Sequence, residues 1–231
     1  MKKILSALLR ALLVCGIATG CVKGSENGGG GFSIIPKKEY HQNPLTGFEQ
    51  GSDYKSGQRP VAIMVNNIMS GDSAQSAWPQ KGLSDADMVY EMETEGGITR
   101  YMAVYRDWTK IPDVGPIRSA RDQFVQLMIP MNCLYVHDGA STYAKKMLER
   151  YNYSDKDLIP ALGISFRDSS LLATKAREHT EFTSGELITR AVEDGSNGIS
   201  TNYTEPANVF DWVPYDEPAR TLSGIDVNEV Y

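Results

Sequence analysis

Apolar residues in the middle of the chain occur in short continuous runs or at every second position, and both patterns are typical of β-strands. Residues 61–65 are consecutive apolar positions that follow Pro60. A run of this length is too short for a helix. It predicts a buried strand that ends at Asn66 and Asn67.

The next pattern is an alternation that two glycines interrupt. Residues 88–95 and 98–106 each place apolar side chains at every second position, with Gly96 and Gly97 between the two stretches. Alternating stretches on either side of a glycine pair predict an antiparallel β-hairpin with a two-residue turn.

A two-residue turn sets the pairing of the hairpin. It places Glu93 opposite Arg100, which predicts a cross-strand ion pair, and it places Glu95 on the same face. Glu91 then lies opposite Met102 in an apolar part of the sheet. A carboxylate there needs a partner or takes a raised pKa, which makes Glu91 a candidate general base.

Side chains that accept hydrogen bonds from free backbone amides indicate where helices begin. The predicted helix-opening residues are Ser84, for a single turn, and Ser119, Ser141 and Thr183. Helices and strands alternate along the chain, with at least one antiparallel hairpin. This order predicts an α/β domain of the mixed α+β kind over residues 43–204, in which helices flank a mixed sheet.

The N-terminus has the features of an export signal. Lys2, Lys3 and Arg10 are basic, and residues 11–18 form an apolar run that is too short to cross a membrane. We therefore expect residues 1–20 to be a signal peptide that is removed from the mature protein.

Small residues precede Cys21 at the end of this signal. They resemble the lipobox of bacterial lipoproteins, in which the cysteine is acylated and becomes the N-terminus; ordinary secretion, with cleavage after small residues, is the alternative. Residues 21–42 are rich in Gly, Ser, Asn and Lys, which predicts a flexible tether. Lipid on Cys21 would hold the protein on the extracytoplasmic face of the cell membrane.

Composition and charge narrow the class of protein. The 231 residues include 23 Lys and Arg against 29 Asp and Glu, a net charge of −6. This balance argues against nucleic-acid binding, and no motif indicates a cofactor, a nucleotide or a metal site. Residues 205–231 contain three prolines and little periodicity, which predicts a linker or the start of a truncated C-terminal domain.

Two arginines stand out against the acidic composition. Arg118 and Arg121 lie at the predicted start of a helix, where free backbone amides and guanidinium groups can hold a carboxylate or phosphate. Alternatively, Asp122 or a glutamate of the hairpin occupies the arginines from within the chain. The predicted ligand-binding residues are Arg100, Arg118, Arg121, Asn66 and Asn67.

Catalytic chemistry has weaker support. His137 ends a predicted strand before a turn, a position where ligand sites gather in α/β sheets. An enzymatic interpretation uses Glu91 or Glu95 as base with His137 as acid or base. No spacing defines a catalytic pair, so the sequence leaves open whether the protein is an enzyme.

Several motifs in fixed order resemble the YerB-like family of bacterial lipoproteins, which is built on domain of unknown function 3048. They are residues 43–47, 59–67, 95–100 and 115–121. Members of that family tend to have a Pro-His-Asn stretch near residues 177–180, of which this chain has His179. The resemblance implies a cell-surface lipoprotein with a second, strand-rich C-terminal part, and it identifies no reaction.

Two functions follow from the sequence. The first is a membrane-tethered binding or scaffolding module of the cell envelope, with an anionic polymer or a partner protein at the arginines. The second is an envelope hydrolase or transferase. The sequence favours the first.

Overall fold

The computed structural model describes residues 41–50, 58–153, 156–157, 163–195 and 199. The predicted export signal, nearly all of the predicted tether and the predicted C-terminal segment lie outside these residues. Within the described part, no helix is long and apolar enough to cross a membrane.

The described residues form short strands and helices that alternate along the chain. The strands are β1 (His41–Gln42), β2 (Glu49–Gln50), β3 (Val61–Asn66), β4 (Met88–Glu93), β5 (Thr99–Tyr105), β6 (Leu134–His137), β7 (Lys156–Asp157), β8 (Phe166–Arg167) and β9 (Glu181–Phe182). The α-helices are α1 (Asp122–Met128), α2 (Thr142–Arg150) and α3 (Gly185–Glu193).

A mixed five-stranded sheet is the centre of the fold. Its strand order is β4-β5-β3-β6-β7; β3 is antiparallel to β5 and parallel to β6. Every residue of β3 is buried, as expected for an apolar strand covered on both faces. The predicted α/β class with a mixed sheet, an antiparallel hairpin and flanking helices is confirmed.

Each face of the sheet has its own hydrophobic core. Helices α1 and α2 cover the face that carries Met64, Met102 and Tyr135. Helix α3 covers the face that carries Ile63 and Val136, together with the chain segments between the elements.

The hairpin of β4 and β5 forms, but its predicted register is wrong by one residue. The backbone amide of Thr94 donates to the carbonyl of Ile98, so the turn has three residues rather than two. The pairs are Glu91 with Tyr101, Met92 with Arg100 and Glu93 with Thr99. Because side chains alternate, this shift moves Arg100 to the opposite face from the glutamates, and the predicted Glu93–Arg100 ion pair is absent.

Helix starts agree with the sequence at one of four positions. Ser84 lies inside a single turn, Leu83–Asp85, that follows Gly82, so the prediction of Ser84 as its opening residue is wrong. Ser141 accepts a hydrogen bond from the amide of Ala144 at the start of α2, as predicted. Helix α3 is opened by Ser184 rather than by Thr183. Helix α1 follows Arg121, which makes no side-chain cap, so the prediction of Ser119 as the cap is wrong.

Candidate functional site

An open cleft of about 430 Å³ lies where the carboxyl ends of β3 and β6 meet. Its lining is mostly charged and consists of Gln75, Arg118, Asp138, Arg167, Ala176, Arg177 and Glu178. Parallel strands end at the same sheet edge, which is where ligands gather in open α/β sheets.

Backbone hydrogen bonds of residues 114–120 bring the walls of the cleft together. The amide of Arg118 donates to the carbonyl of Met64 in β3 at 3.0 Å, and the amide of Asp138 donates to the carbonyl of Arg118 at 3.2 Å. The amide of Ile117 donates to the carbonyl of Glu181 in β9 at 2.7 Å. These bonds hold Arg118 next to the ends of β3 and β6 on one side and next to β9 on the other.

Two of the cleft arginines make ion pairs. Arg118 Nη2 lies 2.7 Å from Glu178 Oε2, and Arg167 Nη2 lies 2.7 Å from Glu181 Oε2. Arg177 is exposed, and its guanidinium group makes no ion pair within the described residues. Arg177 is therefore the cation of the cleft most available to a ligand.

Glu181 is a buried carboxyl group that contacts a second carboxyl group. Its side chain is 3% exposed, and it accepts a hydrogen bond from Ser165 at 2.7 Å as well as pairing with Arg167. Burial raises the pKa of Glu181, and a hydrogen bond with Asp138 raises it further, against the lowering by Ser165 and Arg167. The buried Glu181 carboxyl group therefore keeps its proton to higher pH than an exposed glutamate does.

His179 is buried beside the cleft. Asn66 Nδ2 lies 3.2 Å from His179 Nδ1, which accepts the hydrogen bond when the amide donates. His179 Nε2 lies 3.5 Å from Glu178 Oε1. Burial lowers the pKa of His179, so the ring is neutral at neutral pH.

Of the three predicted arginines Arg100, Arg118 and Arg121, only Arg118 lines the cleft. Arg121 Nε donates to Glu95 Oε1 at 2.6 Å, which is the internal pairing that the sequence left open as an alternative. Arg100 donates to the carbonyl of Ser119. Burial lowers the pKa of Arg100 to about 10, and the nearby charges of Arg121 and Arg118 lower it in the same direction.

The predicted anion cradle at a helix start is not formed as expected. Helix α1 has only seven residues, and Arg121 precedes it instead of lying in its first turn. The carboxylate beside Arg121 is Glu95 from the hairpin turn. Arg118 and Arg121 therefore meet carboxylates of their own chain near the surface and do not form a buried polar network.

The interpretation of Glu91 as a buried general base is wrong. Glu91 is exposed, and its Oε1 accepts hydrogen bonds from Thr99 Oγ1 at 2.6 Å and Asn67 Nδ2 at 3.0 Å. The one-residue shift in register places it beside Tyr101 on the outer part of the sheet rather than beside Met102.

His137 lies on the opposite face of the sheet from Glu91. Glu91 pairs with Tyr101, which shares a face with Ile63 and Val136, and His137 follows Val136. The pair therefore cannot act together as acid and base.

The surroundings of His137 are those of a structural side chain. Its ring is buried, Nδ1 lies 2.8 Å from the carbonyl oxygen of Gly139, and the ring centroid lies 4.8 Å from that of Tyr135. His137 is not among the residues that line the cleft.

Sequence reasoning missed most of the cleft. The missed residues are Asp138, Arg167, Arg177 and Glu178 in the lining and Glu181 behind it. Asp138 carried one usable signal, because it directly follows a strand that ends at the ligand-binding edge. The others come from distant segments. Among the described residues, no group of three His, Cys, Asp or Glu side chains could hold a metal ion.

Together, the fold and the cleft define an α/β domain with a charged site at the carboxyl ends of its strands. The protein-family model described as "Protein of unknown function (DUF3048) N-terminal domain" matches residues 45–198 of the chain. The chain belongs to this family.

Two comparisons with YerB of Bacillus subtilis, one by sequence and one by structure, support the assignment. The protein of Bacillus subtilis (strain 168) named "Putative lipoprotein YerB" is 44% identical over 107 residues, which are 46% of this chain and 30% of that protein. The crystal structure of YerB protein from Bacillus subtilis shares 34% sequence identity with a TM-score of 0.55, and the match covers 68% of this chain and 50% of that chain. The matched part of the chain thus spans half or less of the length of YerB.

The raised pKa of Glu181 gives a testable titration. We expect the Glu181 carboxyl carbon, followed by NMR, to titrate above the usual midpoint near 4.5. Asp138→Asn should lower this midpoint, because an amide can donate to the Glu181 carboxylate and carries no charge. The folded protein keeps the Glu181 proton to higher pH than the unfolded chain does. The free energy of unfolding therefore falls as pH rises through the folded pKa of Glu181. Asp138→Asn should weaken this pH dependence.

Glu149→Gln, an exposed substitution on α2, is the matched control and should leave the Glu181 midpoint unchanged. A Glu181 midpoint that does not move in Asp138→Asn would contradict a contribution of Asp138 to the raised pKa of Glu181.

Proposed function

We propose that this protein is a lipid-anchored protein of the bacterial cell envelope, held on the extracytoplasmic face by lipid on Cys21. In this proposal its arginine-lined cleft binds an anionic envelope ligand. The lipobox-like residues before Cys21 support the anchor, as does the name of the Bacillus subtilis relative. The excess of arginines over carboxyl groups in the lining supports the binding of an anionic ligand.

The single observation that carries the binding proposal is the charge balance of the cleft. Arg118, Arg167 and Arg177 face Glu178, Asp138 and, behind the lining, Glu181. The lining itself holds three guanidinium groups against two carboxyl groups, and Glu181 behind it is paired with Arg167. The cleft therefore carries a surplus positive charge in a protein whose net charge is −6.

The geometry favours a ligand with phosphate or carboxylate groups. A guanidinium group presents a planar set of donors that matches either anion with two parallel hydrogen bonds. Arg177 can bind such a group directly, whereas Arg118 must exchange its bond with Glu178 for the ligand. Because the cleft is open to solvent, it suits one segment of an extended polymer.

We expect a soluble oligomer of glycerol phosphate to bind the protein, with an affinity that falls as salt rises. Arg177→Gln and Arg118→Gln should each weaken binding about tenfold, since each removes a charge-assisted hydrogen bond worth about 1.5 kcal/mol. Isothermal titration calorimetry measures both effects.

Arg150→Gln is the control, because Arg150 is an exposed arginine of α2 outside the cleft. It should bind the oligomer as the wild type does. Equal affinity of the wild type and of the Arg118→Gln and Arg177→Gln variants, with folding intact by circular dichroism, would rule out the cleft as the anion site.

The anchor is tested by the mature N-terminus. Mass spectrometry of protein made in a bacterium that processes lipoproteins should show Cys21 as the first residue, with a mass increase from acyl chains. Cys21→Ser should move the protein out of the membrane fraction, whereas Cys133→Ser, at a buried thiol, should not. An unmodified Cys21, or a chain cleaved elsewhere, would contradict the lipid anchor.

A further inference from the structure

A second polar cluster joins the end of β3 to the hairpin, and none of its residues lines the arginine cleft. Asn67 is at its centre. Its Nδ2 donates to Glu91 Oε1 at 3.0 Å and to Thr99 Oγ1 at 2.8 Å, and its Oδ1 accepts from Gln80 Nε2 at 2.7 Å. Both ends of the Asn67 amide are thus satisfied, which fixes its orientation.

An exposed tryptophan belongs to this cluster. The indole Nε1 of Trp78 lies 3.4 Å from Asn67 Oδ1, and 49% of the Trp78 surface remains exposed. The backbone that carries Trp78 is held by Lys175, whose Nζ donates to the carbonyls of Ser73, Ser76 and Trp78 at 2.6–3.0 Å. The ring is therefore presented to solvent from a fixed segment, which lowers the ordering cost of binding.

The cluster offers hydrogen-bond acceptors to a ligand. Glu91 Oε2 and Gln80 Oε1 accept no hydrogen bond from the residues that the structure describes, although their partner atoms are engaged with Asn67. Free acceptors beside an aromatic face suit a ligand with several hydroxyl donors and an apolar ring surface. A negatively charged ligand would meet the Glu91 carboxylate and is disfavoured.

We propose that Trp78, Gln80 and Glu91 form a carbohydrate-binding surface that takes a neutral pyranose ring of an envelope glycan. The ring packs on the Trp78 indole, and its hydroxyl groups donate to Glu91 Oε2 and Gln80 Oε1. This surface is independent of the anion site, since it shares no residue with the lining of the cleft and selects against negative charge.

The test is a titration of the whole chain with chitotetraose, a neutral oligomer of N-acetylglucosamine, followed by tryptophan fluorescence and calorimetry. We expect saturable binding with a change in fluorescence. Trp78→Ala should weaken binding at least tenfold and abolish the fluorescence change, and Glu91→Gln and Gln80→Ala should each weaken it severalfold.

Two control variants show whether binding depends on this surface. Tyr143→Ala removes an aromatic ring of α2 that is 73% exposed, and it should bind chitotetraose as the wild type does. Arg118→Gln should also leave binding unchanged, because that arginine lies in the anion cleft. Wild-type affinity in a folded Trp78→Ala variant would overturn the proposal, as would no chitotetraose binding by the wild type or loss of binding in Arg118→Gln.

Discussion

The backbone of residues 114–120 holds the candidate site together. Its hydrogen bonds reach β3 at Met64, the residue after β6 at Asp138, and β9 at Glu181. A buried backbone group that loses its partner costs about 1–3 kcal/mol, so this segment cannot shift alone. The positions of Arg118, Asp138 and Glu181 therefore follow from main-chain pairing, and the charged side chains add chemistry to an arrangement that the backbone already defines.

The sequence predicts the fold class correctly because its strongest signals are local. A continuous apolar run gives the central strand β3, and alternation gives β4 and β5. The register of the hairpin depends on the turn, and a pair of glycines is compatible with a turn of two or three residues. The three-residue turn places Arg100 and Glu91 on opposite faces of the sheet. An error of one residue in the predicted register therefore puts Glu91, the candidate general base, beside the wrong neighbours.

The residues of the site are only partly predictable from the sequence. Arg118 stands out in its sequence motif, and it does line the cleft. Asp138 and Glu181 interact although they are 43 positions apart in the chain. No local sequence pattern predicts this interaction. Asn66 and Asn67 are neighbours in sequence, but successive side chains of an extended chain point to opposite sides. Asn66 contacts His179 beside the cleft, whereas Asn67 holds the cluster that includes Glu91.

Anion binding at the ends of β3 and β6 is tested most directly by NMR of the arginine Nε–H groups during titration with the glycerol phosphate oligomer. The resonances of Arg118, Arg167 and Arg177 should shift together and saturate at one concentration, while that of Arg150 stays in place. Shifts confined to arginines outside the cleft, or no shift at any arginine, would contradict the assignment of the cleft as the anion site.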